Sequence, residues 1–98
     1  MLLGGQGHVS VTANVAPRLM HELCIAALQG NAARAAALQF KLLNLHRQLF
    51  CEPSPAATKW ALSQMGLCQN HLRLPIVPLT GSGQVLVDQA LREVGLLR

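Results

Sequence analysis

The residues in this chain that could act as nucleophiles, bases or metal ligands are few, and their spacings exclude most of the chemistry they suggest. His21-Glu22 opens the helical motif of zinc peptidases, in which a second histidine one turn on completes a metal-binding face; that position is Ile25, so the motif fails. His21 and Cys24 have the spacing of half a structural zinc site, but no second pair answers them, and no metal is expected. Cys24, Cys51 and Cys68 are odd in number and form no CxxC pair. They lie in apolar contexts such as Leu23-Cys24-Ile25 and Phe50-Cys51, which reads as buried thiols in a reducing compartment. Gly4, Gly5 and Gly7 would suit a phosphate cradle if they joined a strand to a helix. They precede a strand instead, so they read as a turn. His46 and His71 have no partner at catalytic spacing and receive no role. Trp60 could be a ligand platform, but on a helix beside Ala57 and Ala61 it reads as a packing residue.

The elements that must position these groups follow from hydrophobic periodicity and its interruptions. His8-Val9-Ser10-Val11-Thr12 is rich in β-branched residues and alternates apolar with polar positions, which predicts a strand. Asn14-Val15-Ala16-Pro17 then reads as a turn into a helix with Pro17 at its first position, where a missing N–H costs nothing. Leu19, Leu23 and Ala27, with Met20 and Cys24 beside them, share one face, and Gly30 suits a left-handed stop. Asn31 can cap a second helix to about residue 50, whose stripe Leu38, Leu42, Leu45 and Leu49 keeps helical spacing. Glu52-Pro53-Ser54-Pro55 breaks it, because proline removes a donor and biases the preceding residue away from helix. A third helix over about 56–65 ends at Gly66. Residues 67–80 are too proline-rich for a central strand and form an apolar extended loop. The last helix follows Ser82 or Gly83, with Val87, Leu91 and Val94 on one face and Asp88 paired to Arg92.

Composition narrows the partners. At 98 residues the chain holds one domain at most, and its 51% hydrophobic content excludes intrinsic disorder. Charged residues are 12%, against about 25% in an average soluble domain, so apolar faces must be covered by something else. Aromatics are 3% with no tyrosine, too few for a base-stacking surface, and the cations behind the net charge of +4 are scattered without a basic block. No nucleic-acid partner is expected. Apolar runs fall far short of the roughly 18 residues of a membrane span, so the expectation is a soluble, cytoplasmic chain with no membrane partner. One strand cannot satisfy its own edge hydrogen bonds, and as the last strand of a larger α/β protein the pattern becomes reasonable.

Gly4-Gly5-Gln6-Gly7-His8-Val9-Ser10-Val11-Thr12-Ala13-Asn14-Val15-Ala16-Pro17, then Glu52-Pro53-Ser54-Pro55 with Lys59-Trp60-Ala61, then Leu72-Arg73-Leu74-Pro75, stand in one register. In that order and at those separations the chain closely resembles the C-terminal third of the dihydrodipicolinate synthase family, over essentially all its residues. The closing Ala90-Leu91-Arg92-Glu93-Val94-Gly95-Leu96-Leu97 is similar to the family's own C-terminus. The resemblance implies a TIM (β/α)8 barrel fold in which residues 1–30 are the last β/α unit, with its strand near 7–12, and residues 31–98 are a C-terminal helical domain. Barrels of this type need about 250 residues, so the length reads as that of a fragment.

By the same resemblance, the full enzyme is a lyase that condenses pyruvate with aspartate semialdehyde in lysine and diaminopimelate biosynthesis. It works through a lysine Schiff base and a tyrosine proton relay, without a cofactor. The matching catalytic lysine and tyrosines precede this segment. Lys41 and Lys59 fall within helices and match neither, so no catalytic residue is assigned here. Val9 is the one position carried across, as a substrate-binding residue at the pyruvate pocket near the end of the last strand, compatible with a packing role. The family usually has isoleucine there, and valine where His8 stands. Alternation turns His8 away from the side of Val9, toward a helix. Pyruvate is thus expected as a ligand only in a complete barrel, with homo-oligomeric copies or the missing barrel portion as protein partners. The chain alone is expected to be inactive. A non-catalytic helical oligomerisation or interaction module, and a piece of a related pyruvate-dependent aldolase, remain as alternatives.

Overall fold

A computed structural model describes residues 1–97, and among them every regular element is helical. In chain order these are α1 (Thr12–Val15), α2 (Pro17–Leu28), α3 (Ala32–Gln48), α4 (Ala56–Gln64) and α5 (Gly81–Glu93). α2 packs on α3, α3 on α5, α4 on α5, and the single turn α1 lies against α2 and α4.

The helix boundaries have identifiable chemical causes. Pro17 occupies the first turn of α2. α2 ends in a Schellman turn. Gly30 adopts φ +74°, its N–H donates to Ala27 O at 3.1 Å, and the Asn31 N–H donates to Ala26 O at 2.8 Å. That reversal folds α3 back along α2, and Asn31 Oδ1 caps α3 by accepting from the Arg34 N–H at 3.2 Å. Gly66 closes α4 in the same way, with N–H groups of Gly66 and Leu67 reaching Ser63 O and Leu62 O. α5 starts at Gly81, slightly earlier than expected, because Thr80 is its cap: Thr80 Oγ1 accepts from the Gly83 N–H at 3.2 Å.

The expected stripe of α3 forms the centre of the molecule. Leu42, Leu45 and Leu49 are fully buried against Val15, Trp60 and Leu91, and Val87 and Val94 close the α5 side. Trp60 is 8% exposed and its role is packing. A second, smaller cluster of Ala26, Ala27 and Ala35 brings α2 and α3 close together, with Met1 packed against it. Residues 67–80 are irregular as expected, and anchor at their far end through buried Leu79.

The predicted strand is corrected. Residues 5–10 have no regular structure, and Thr12, its expected last residue, begins the α1 turn. Among the described residues no second extended segment pairs with it, so its backbone groups have no ladder to join. β-branched alternation reports fitness for a sheet surface, and without the sheet the local hydrogen bonds win: Asn14 N–H to Val11 O at 3.1 Å and Ala16 N–H to Thr12 O at 2.8 Å.

Candidate functional site

Val9, the expected substrate contact, stands fully in solvent at 104% relative exposure. The groove formed beside it belongs to its neighbours. About 450 Å³ of space lies between residues 1–8, α2 and α3, walled by Leu3, Met20, Leu23, Ala27 and Ala36, with His8 at the rim. His8 therefore faces helices, as alternation suggested, while Val9 turns away.

One polar chain joins this N-terminal region to α3. Thr12, buried at 2% exposure, brings its Oγ1 within 2.6 Å of His46 Nδ1, and His46 Nε2 lies 3.3 Å from Gln39 Oε1. With Nε2 carrying the proton, His46 donates to Gln39 while Nδ1 accepts from the Thr12 hydroxyl, so one neutral tautomer satisfies all three groups. Burial of the ring lowers the His46 pKa from its ordinary value, which favours that neutral form. Sequence reasoning gave His46 no role. The available signal was the two-turn separation of Gln39 and His46, which places two polar side chains on one side of the helix.

A second polar device holds the proline motif to α5. Glu52 Oε1 accepts from the Thr80 N–H at 3.2 Å, its other carboxylate oxygen accepts from the Thr80 hydroxyl, and Thr80 caps α5. Glu52 and Thr80 are 28 residues apart, which no local pattern reveals.

The lysines lie where helix positions predicted. Lys41 is exposed on α3, and Lys59 is half-buried on α4, lining a groove with His71 and Arg73. The thiols are free, but their expected burial holds in part. Cys24 and Cys51 are half-buried, while Cys68 is exposed because the chain leaves the core at Gly66. Burial, reinforced by the Glu52 charge, pushes the Cys51 thiol up. Among the described residues no group of three or more His, Cys, Asp or Glu side chains is placed to hold a metal ion. No helix among them is long and apolar enough to cross a membrane.

What the molecule presents is thus a helical scaffold with an open apolar groove and, among the described residues, no assembled set of acid, base and nucleophile around Val9. Solved structures of similar shape define its class as that of dihydrodipicolinate synthases. The chloride-inhibited enzyme of Acinetobacter baumannii, complexed with pyruvate, superimposes with a TM-score of 0.94 at 43% identity, over 98% of this chain and 33% of that one. The Thermotoga maritima dihydrodipicolinate synthase gives 0.92 at 42%, over 96% and 32%. Residues 1–94 match the dihydrodipicolinate synthetase family, and the chain belongs to it. Among curated relatives, the 4-hydroxy-tetrahydrodipicolinate synthase of Methylibium petroleiphilum is 62% identical over 97 residues, which are 99% of this chain and 33% of the relative. The chain spans about a third of the length of the curated relatives it matches.

Proposed function

We propose that this chain is the C-terminal third of a 4-hydroxy-tetrahydrodipicolinate synthase-type lyase, contributing the last β/α unit of a TIM barrel (residues 1–30) and the C-terminal helical domain (residues 31–98). The observation that carries it is the family match over residues 1–94 at a third of a relative's length. In the complete cytoplasmic enzyme, a barrel lysine outside this segment adds its amine to the ketone of pyruvate and loses water to give the Schiff base. The derived carbon nucleophile attacks aspartate semialdehyde, and tyrosines outside this segment carry the protons. This chain's part is to complete the barrel wall. Val9 touches pyruvate there once residues 7–12 pair as a strand, and the helices support the wall from behind.

The test is reductive trapping. The purified 98-residue chain, given pyruvate and borohydride, gains no adduct mass on Lys41 or Lys59. A stoichiometric pyruvate adduct on either lysine overturns the reading that the chain is inactive alone.

A second reading, a non-catalytic helical module that assembles with copies of itself, draws on one observation. Phe40 and Leu43 on α3, with Phe50 just beyond it, keep helical spacing along one face and are 74%, 43% and 58% exposed. A monodisperse oligomer with one cooperative unfolding transition supports it. A molten or aggregating chain favours the barrel piece.

A further inference from the structure

We infer that the groove between α4 and the loop of residues 67–80 is a binding site for a small dicarboxylate, independent of the lyase reading. The groove encloses about 390 Å³ and is lined by Pro55, Lys59, His71, Leu72, Arg73 and Ile76. Two cations and an imidazole thus line one groove from separate elements, Lys59 from the helix and His71 and Arg73 from the loop, with Leu72 and Ile76 among its apolar walls.

Among the described residues nothing acidic lines this groove, and the Asp and Glu side chains are engaged elsewhere. Glu22 pairs with Arg34 at 3.6 Å and Asp88 with Arg92 at 2.9 Å. Glu93 accepts from the Asn44 amide at 3.1 Å. Glu52 lines an adjoining groove that shares Ile76, but both its oxygens accept from Thr80. With four acids against eight Lys and Arg, positive charge is left unbalanced, and Lys59 and Arg73 line one concave groove.

The loop that carries His71 and Arg73 is shaped by its own backbone. The Ile76 N–H donates to Arg73 O at 3.0 Å, and the His71 N–H to Gln69 O at 2.9 Å, so Arg73 and His71 each sit at a turn. The two charges recognise anions differently. A guanidinium grips a carboxylate through two parallel N–H groups, while an ammonium acts as a compact point charge. A ligand with a carboxylate at each end could engage one cation with each, and a short carbon chain between them would use the apolar walls of Leu72 and Ile76. Inorganic phosphate satisfies the charges but leaves the apolar walls unused.

The experiment is an amide NMR titration of the full 98-residue chain with succinate, run beside inorganic phosphate and sodium chloride at matched ionic strength. Succinate is expected to give saturable shifts confined to residues near Lys59, His71 and Arg73. Substituting Lys59→Gln with Arg73→Gln removes two charge-assisted contacts and is expected to weaken binding by about tenfold or more, while Arg47→Gln on exposed α3 leaves it unchanged. Arg73 is exposed and Lys59 half-buried, neither has an ion pair among the described residues, and an unchanged amide spectrum of the free variants verifies that they fold. Equal shifts with phosphate or chloride, shifts that do not saturate, or full affinity in the double variant each overturn the site.

Discussion

Thr12 and His46 show how one buried hydroxyl can tie the start of a chain to its middle. Because burial lowers the His46 pKa from its ordinary value of 6.5, the unfolded chain takes up this proton at a higher pH than the folded one. The sign follows: stability from neutral His46 is fully present above the unfolded pKa and is lost as pH falls through the folded value. His46→Asn removes the titration. Its urea midpoint is therefore expected to fall less than that of the parent chain between about pH 7.5 and about pH 5.5. Equal slopes would remove His46 from the acid response. This contact was hidden at the level of residue types, since a threonine at the end of a presumed strand and a histidine on a helix carry no mark of meeting. Trp60 was legible, because alanines around an aromatic on a short helix leave packing as its natural use.

At the scale of elements, the joins between helices carry more information than the helices themselves. The start of α5 sits on the Glu52 carboxylate through Thr80, and Gly83 passes so close that a Cβ there would strike the Glu52 carboxylate and Leu79 Cδ1, the latter at 2.8 Å. Leu79 is buried and cannot simply swing into solvent. Gly83→Ala is thus expected to destabilise the chain by about 1–3 kcal/mol in urea unfolding, despite alanine's better helix propensity. A stabilised variant would mean that the carboxylate gives way freely. The neighbouring Gly81→Ala serves as control, because a Cβ there meets no atom. The caps and stops at Pro17, Gly30, Asn31 and Gly66 were readable from sequence because each is a local bargain between a side chain or backbone and the nearest turn. The strand expected over 8–12 does not form in this chain for the opposite reason. Its hydrogen bonds depend on another strand, and the local pattern cannot say whether that strand is present.

For the molecule as a whole, low charge goes with large apolar side chains left in solvent. Leu3, Phe40 and Leu74 are largely exposed alongside Val9. If the remaining two-thirds of a related enzyme supplies the barrel, binding to the folded state must stabilise it by mass action. The thermal midpoint of the 98-residue chain is accordingly expected to rise with the concentration of an added polypeptide covering that portion of the Methylibium petroleiphilum relative. Synthase activity should appear in the mixture alone. A midpoint indifferent to the added portion would favour the self-assembling module. The family was legible in the dispersed motifs because they reflect many long-range constraints at once, whereas the substrate contact proposed for Val9 rests on that family alone.

The irregular segment of residues 5–10 has a consequence for how the chain would be cut. It is solvent-exposed backbone outside every helix, which is what a protease cleft needs to draw a substrate into extended form. Trypsin finds no site in it, because the first lysine or arginine, Arg18, already lies in α2. An enzyme that cuts beside valine or leucine does. Cleavage next to Val9 releases Met1 from the alanine seam of α2 and α3 but spares Val15, Leu42, Trp60 and Leu91, so the product that accumulates is the helical core itself, shortened at one end.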